Sequence, residues 1–143
     1  ARPLQRALRN IMWEYGGVVK NEEKLNKGLQ EIENLKEASK DLDVRPDSEG
    51  YQDLMLAFDL QASLVSSEST LISALSREES RGAHQRDDYK EINNDFNVNM
   101  RVKFDSDNNI LLSKDKVPAL NNDLKNLITK TKEIDNFEGM LLE

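Results

Sequence analysis

The densest run of groups able to do chemistry is Arg77-Glu78-Glu79-Ser80-Arg81-Gly82-Ala83-His84-Gln85-Arg86-Asp87-Asp88-Tyr89. It holds the only histidine of the chain, three arginines and four carboxylates. Arg81 and Arg86 present planar forks that match a carboxylate or a phosphate. His84 can exchange a proton near neutral pH, and Gly82 lets the backbone turn tightly. One histidine without partners at ligand spacing does not describe a metal centre. Three residue types in one loop do not establish a Ser-His-Asp geometry either. On residue types alone the segment reads as a solvated ion-pair loop at a helix end, as a docking surface for another domain, or as an active site.

A second polar feature lies upstream. A long helical pattern over residues 51–79 places Leu54, Ala57, Phe58, Leu64, Val65, Leu71, Ile72 and Leu75 on one face, interrupted by Gln61 and Glu68. A carboxylate on such a face must be hydrogen bonded, paired or neutralised. Glu68 therefore either reaches water at the edge of the face or contacts an arginine or a further domain. Gly82 marks the expected end of this helix.

The elements that must position these groups follow from periodicity. Leu4, Leu8, Ile11, Met12 and Tyr15 predict a first helix over residues 3–15, opened by Pro3 and ended by Gly16-Gly17, with glycine taking a left-handed C-cap. Val18-Val19 is too short to specify a strand. Asn21 is a candidate N-cap, with Glu22 and Glu23 at the positive end of a second helix whose stripe is Leu25, Leu29, Ile32, Leu35, Ala38 and Leu42. Pro46 and Gly50 mark the loop over residues 43–50.

After Asn93 the period changes. Val98, Met100, Val102 and Phe104 alternate with polar residues, residues 105–109 form a turn, and Ile110-Leu111-Leu112 supplies a second short strand. A hairpin alone is marginal, so it is expected to lie on the helices. Pro118 can open a last helix with Leu120, Leu124, Leu127, Ile128, Thr131 and Ile134 on its face. Phe137 extends that face, and Gly139 breaks the helix before the tail Met140-Leu141-Leu142-Glu143. The predicted fold is mainly α: an antiparallel three-helix bundle with a small β-hairpin and an additional C-terminal helix. Residues 1–92 form the bundle and its polar loop, and residues 93–143 form the hairpin and helix packed on it.

Bulk properties narrow the function. The 143 residues carry a formal charge of −7, which disfavours nucleic acid as a partner. With no cysteine, disulfides, thiolate nucleophiles and cysteine-held metal clusters are excluded. No apolar run has the roughly 18–20 residues needed to span a bilayer. Nor does a Gly-x-Gly-x-x-Gly run follow a strand, so no dinucleotide cradle is present. The chain opens at Ala1 directly on a helical pattern, which suits either an excised domain or a processed protein.

The order of residues from Ser76 to Tyr89 resembles the Glu-Ser-Arg-Gly-Ala-His signature of succinate dehydrogenase and fumarate reductase flavoprotein subunits. Ile11-Met12-Trp13 with Gly17-Val18-Val19-Lys20, and then residues 25–35, also resemble the start of that family's helical domain. L-aspartate oxidases carry a related form, usually without the second arginine, here Arg86. Lys90 stands where the family usually has proline after the tyrosine. The resemblance covers residues 4–89.

It implies a C-terminal domain of a FAD-dependent enzyme that interconverts succinate and fumarate, inactive as this chain alone. No catalytic, cofactor-binding or metal-binding residue is expected here. FAD belongs to the full-length protein, held by N-terminal FAD-binding and capping domains, with an iron–sulfur subunit as the electron-transfer partner. The expected setting is cytoplasmic, with peripheral attachment to a membrane through the parent complex. Arg81, His84 and Arg86 carry over as motif residues, expected with Glu68 at or near a domain interface, the three motif residues on one exposed polar surface beside an apolar patch. The other readings are an L-aspartate oxidase C-terminal domain and an independent acidic helical interaction module.

Overall fold

The computed structural model describes residues 1–46, 49–106 and 109–130. Three long helices carry the core: α1 (Arg2–Tyr15), α2 (Glu22–Lys40) and α3 (Gln52–Ser76). Two short strands, β1 (Val19–Lys20) and β2 (Gln85–Arg86), pair in parallel, and β3 (Val98–Phe104) and β4 (Ile110–Lys116) form an antiparallel hairpin. Residues 122–130 are helical. This is the mainly α, three-helix architecture that periodicity predicts.

The helices run up, down and up. Gln5 near the start of α1 donates to the Leu56 carbonyl near the start of α3 (3.0 Å), so these two run in the same sense. Gly28 in α2 lies against Tyr15 and Leu71, whereas Lys36, further along α2, pairs with Glu68, earlier in α3. The buried core is Leu8, Leu25, Ile32, Leu60, Leu64, Leu71 and Ala74, flanked by Leu4, Ile11, Met12, Leu29, Leu35, Leu42 and Leu75. Burying a stripe from each helix supplies most of the stability of the three elements.

Local chemistry sets the ends of α2. The Asn21 side chain accepts from the Lys24 N–H (2.9 Å), and Glu22 and Glu23 occupy the first turn, where the helix dipole favours negative charge. The end of α1 departs from expectation. Gly16 has φ −101°, an ordinary value rather than a left-handed one. What requires glycine there is space: a Cβ would stand 2.9 Å from Met12 Cε, 3.0 Å from the Met12 carbonyl oxygen and 3.2 Å from Leu71 Cδ2.

Helix α3 differs in extent and in rotation. It ends at Ser76, short of Glu79, because Arg77 turns to an extended backbone. Of its buried residues, Leu64 and Leu71 belong to the expected stripe, whereas Leu60 and Ala74 do not. Phe58 and Val65, expected inside, are exposed at 63 % and 42 %, and Gln61 is exposed too. Gly82 does not end the helix. With φ +57° it lies in the tight turn where the Arg81 and His84 backbones exchange hydrogen bonds (2.8 and 3.0 Å).

The hairpin extends further than expected on its second strand, with Val98 opposite Lys116 and Phe104 opposite Ile110. Pro118 does not open the last helix. Asn121 does so by accepting from the Leu124 N–H (2.8 Å). Leu120, Leu124, Leu127 and Ile128 are exposed, so among the described residues this helix lies outside the core. The predicted contacts of Thr131, Ile134, Phe137 and the tail from Gly139 lie outside the described residues.

Gly28 tests the packing. A Cβ there would meet Leu71 Cδ1 and Tyr15 Cβ, each at 2.8 Å. Gly28→Ala gains roughly 1 kcal/mol of helix propensity but overpacks the crossing at a cost of about 1–3 kcal/mol. A lower urea midpoint is expected; a rise would show that the crossing relaxes freely.

Candidate functional site

The loop from Arg77 to Tyr89 is built on two buried ion-pair centres. In an extended segment, residues two apart share a face. Arg77, Glu79 and Arg81 therefore converge, and so do Arg86 and Asp88.

Glu79 is the first centre and is fully buried. Arg77 donates to its Oε1 (2.5 Å), Arg81 donates through Nε (3.0 Å) and Nη2 (3.1 Å), and the Asn93 N–H donates to Oε2 (3.0 Å). Burial alone pushes the carboxyl up, but these donors outweigh it and hold it at about 2. Arg77 also donates to the Phe96 and Val98 carbonyls (2.8 and 2.7 Å), which fastens the hairpin to the end of α3.

Arg86 is the second centre, only 2 % exposed. Its Nε and Nη2 form a bidentate pair with Asp88 (2.7 and 2.8 Å). Its Nη1 donates to the Ala74, Leu75 and Arg77 carbonyls at the end of α3 (2.9, 3.1 and 3.3 Å), and its guanidinium stacks over Tyr89. The last carbonyls of a helix lack intrahelical donors, and a cation there also meets the negative end of the dipole. Asp88 in turn accepts from the Glu22 N–H (2.8 Å) at the start of α2. The hydrogen bonds from Arg86, then from Glu22, hold Asp88 at about 2. One ion pair thus satisfies the end of α3 and the start of α2. Ser80 completes the loop, accepting from the Arg86 N–H and donating to the Tyr89 carbonyl, each at 2.8 Å.

His84 is half-buried, and Nε2 lies 3.1 Å from the Arg77 carbonyl oxygen. A carbonyl can only accept, so Nε2 carries the proton. Burial pushes its pKa down, opposed by the bond to Arg77, while the charges of Lys20, Arg86 and Arg77 push it further down. Lys20 of β1, 7 % exposed, stands beside it.

The sequence-selected residues are thus divided. Arg81, His84 and Arg86 share one loop, but not one exposed surface: Arg86 is buried and points at α3, and Arg81 is turned onto Glu79. Glu68 lies elsewhere, paired with Lys36 (2.5 Å) between α2 and α3, its side chain 20 % exposed. Sequence reasoning misses Glu79, Asp88, Arg77, Ser80 and Lys20, although the alternation of arginine and acid at spacing two is a usable signal for the first three. Among the described residues no group of three or more His, Cys, Asp or Glu could hold a metal ion. Among them, too, no helix is long and apolar enough to cross a membrane.

This three-helix bundle closed by a loop and hairpin has the fold of part of a chain of E. coli quinol fumarate reductase, with a TM-score of 0.75 over 84 % of this chain and 22 % of that one, at 24 % identity. The family model described as fumarate reductase flavoprotein C-term matches residues 5–132, and the chain belongs to that family. An uncharacterized FAD-dependent oxidoreductase of Methanocaldococcus jannaschii is 34 % identical over 96 residues, 67 % of this chain and 17 % of the relative. The succinate dehydrogenase flavoprotein subunit of Coxiella burnetii is 35 % identical over 89 residues, covering 62 % and 15 %. The L-aspartate oxidase of Acinetobacter baylyi is 35 % identical over 88 residues, covering 59 % and 15 %. The chain therefore spans only 15–17 % of the length of these curated relatives.

Two outcomes test the loop. Arg86→Lys keeps the charge but loses the fork, and a loss of about 3 kcal/mol of unfolding free energy is expected from urea titration. An unchanged midpoint would remove Arg86 from its role as the tie. Because the Glu79 carboxyl lies below its ordinary 4.5 in the folded state, the unfolded chain binds the extra proton as pH falls. Stability is then complete above about pH 5 and declines toward pH 2, with Glu79 contributing on the order of 3 kcal/mol. Glu79→Gln should be less stable at pH 7 and show a shallower acid decline, measured as urea midpoints across that window.

Proposed function

We propose that this chain is the C-terminal helical domain of a FAD-dependent succinate dehydrogenase or fumarate reductase flavoprotein subunit. The observation that carries the reading is Arg86, the second arginine of the motif, buried and paired with Asp88 where it joins α2 to α3. L-aspartate oxidases usually lack that arginine, so its structural role here favours the dicarboxylate branch. Lys90 in place of the usual proline follows Tyr89 without disturbing the pair.

The domain's own residues do structural work. Their guanidinium and carboxylate groups are spent on each other and on backbone carbonyls, which leaves Arg81 and Arg86 without free forks for a substrate. Nor do these residues fit a flavin. The Gly82 turn joins two short extended segments, and among the described residues no strand, glycine-rich turn and helix occur in succession to cradle a pyrophosphate. FAD and the interconversion of succinate and fumarate belong to FAD-binding and capping domains of a longer polypeptide, with an iron–sulfur subunit as electron partner. The setting is cytoplasmic, attached peripherally to a membrane through that complex.

Exposed apolar groups support a covered position. Trp13 is 87 % exposed with Val18 nearby, and Tyr51, Met55, Phe58 and Val65 form a stripe along the outer side of α3. Such patches mark surfaces that meet other protein. Within the domain, the division at residue 92 sets the bundle and its loop apart from the appended hairpin and the helix over residues 122–130.

The test is the visible spectrum of the longer polypeptide that contains this sequence. A bound-flavin spectrum bleached by succinate is expected. Bleaching by L-aspartate alone would move the chain to the oxidase branch, for which the Acinetobacter baylyi relative gives independent reason. Absence of flavin would overturn the reading and leave an acidic helical interaction module.

A further inference from the structure

Beneath the motif loop, a cavity of about 570 Å³ opens between the last turns of α3, β1, the His84 turn and β3. Its charged lining comes from Lys20 and Arg77, the His84 ring stands with them, and Ala74, Ala83, Met100 and Val102 supply much of the apolar remainder. Positive charge is concentrated here in a chain whose formal charge is −7. Arg77 gives three of its five N–H donors to Glu79 and to two carbonyls, and its charge is paired with Glu79.

Lys20 is different. It is 93 % buried, and its ammonium, with three donors, makes a single hydrogen bond, to the Val18 carbonyl (3.0 Å). Among the described residues no carboxylate lies within ion-pair distance of it. The charged neighbour acting on it is Arg86, a like charge that with burial pushes its pKa down. A buried cation without an anion is costly, and buried charges are ordinarily paired. His84 spends Nε2 on the Arg77 carbonyl, which leaves Nδ1 without a partner among the described residues. The Ser73 hydroxyl is also unengaged among them, whereas Ser69 and Thr70 bond back to carbonyls of their own helix (2.8 and 2.7 Å).

We propose that this cavity is a binding site for a carboxylate group, held by Lys20 Nζ with His84 and Ser73 beside it. One unpaired ammonium in a largely apolar lining fits a singly charged carboxylate on an apolar body. A phosphate carries more negative charge than that one ammonium offsets. The carboxylate is either a free small acid or an Asp or Glu side chain from elsewhere in a longer polypeptide. The site stands independently of the flavoenzyme reading, since it rests on Lys20 and the cavity alone.

The experiment is an NMR titration of the 143-residue chain with sodium acetate, against sodium chloride at equal ionic strength. The His84 ring and the Lys20 and Ala83 amides report. A saturable shift is expected with acetate and not with chloride, together with a rise in the His84 pKa against the opposing charges of Lys20, Arg77 and Arg86. Lys20→Met should weaken acetate binding at least tenfold, and Lys20→Arg should retain it. Identical responses to acetate and chloride in the parent chain would overturn the proposal, whether or not the variants fold. Acetate binding undiminished in a folded Lys20→Met protein would overturn it too. Repeating the titration in the longer polypeptide separates the sources. A persistent acetate response assigns the site to a free acid. A His84 pKa already raised and insensitive to acetate assigns it to a side chain of the same polypeptide.

Discussion

The Arg86 guanidinium is the point on which the arrangement of helices depends. A three-helix bundle buries apolar stripes, and apolar burial is non-directional. It favours contact without fixing where one helix ends against another. Arg86 supplies the direction. Its donors fit both the open carbonyls of α3 and the two oxygens of Asp88, and Asp88 reaches the open N–H of Glu22. Removing water from such a group is tolerable only when nearly every donor is met, and here only one Nη2 hydrogen lacks an acceptor, beside the Tyr89 ring.

The Glu79 centre plays the complementary part for the hairpin. Two strands of seven residues have little independent stability. Arg77 draws the Phe96 and Val98 carbonyls to the end of α3, and Glu79 keeps Arg77 in place while bonding Asn93. The family signature therefore reads, in this chain, as a junction. Its charged residues join the helical bundle to the hairpin. Trp13, Phe58 and their neighbours remain as exposed apolar surface outside that junction.

Most of the architecture is legible in the sequence because it is local. Asn21 and the two glutamates after it announce α2, and the alternation from Val98 to Phe104 announces β3. The family resemblance lies in the unbroken run around Arg81 and His84. The features that sequence does not disclose depend on distant partners. The stripe of α3 is rotated because Leu60 and Ala74 face α1 and α2, while Phe58, equally apolar, faces outward. Periodicity over a helix apolar on more than one side does not choose between these faces. Gly16 reads as a left-handed cap, yet it answers to Leu71, fifty-five positions away in sequence. Val18-Val19 looks too short for a strand because its partner lies beyond two helices. Lys20 gives no sign in the sequence that it is buried.

That parallel pairing of β1 with β2 has a kinetic side. Val19 and Gln85 meet only after both intervening helices are in place, so the contact closes a loop of 66 residues. The entropy of such a closure is spent before any bond rewards it, whereas the helices form from near neighbours. Contact distance thus favours assembly of the junction after the helices. A domain whose charged clasp closes only on a finished bundle carries its own checkpoint: the surface made by the clasp exists for other proteins only once the interior behind it is complete.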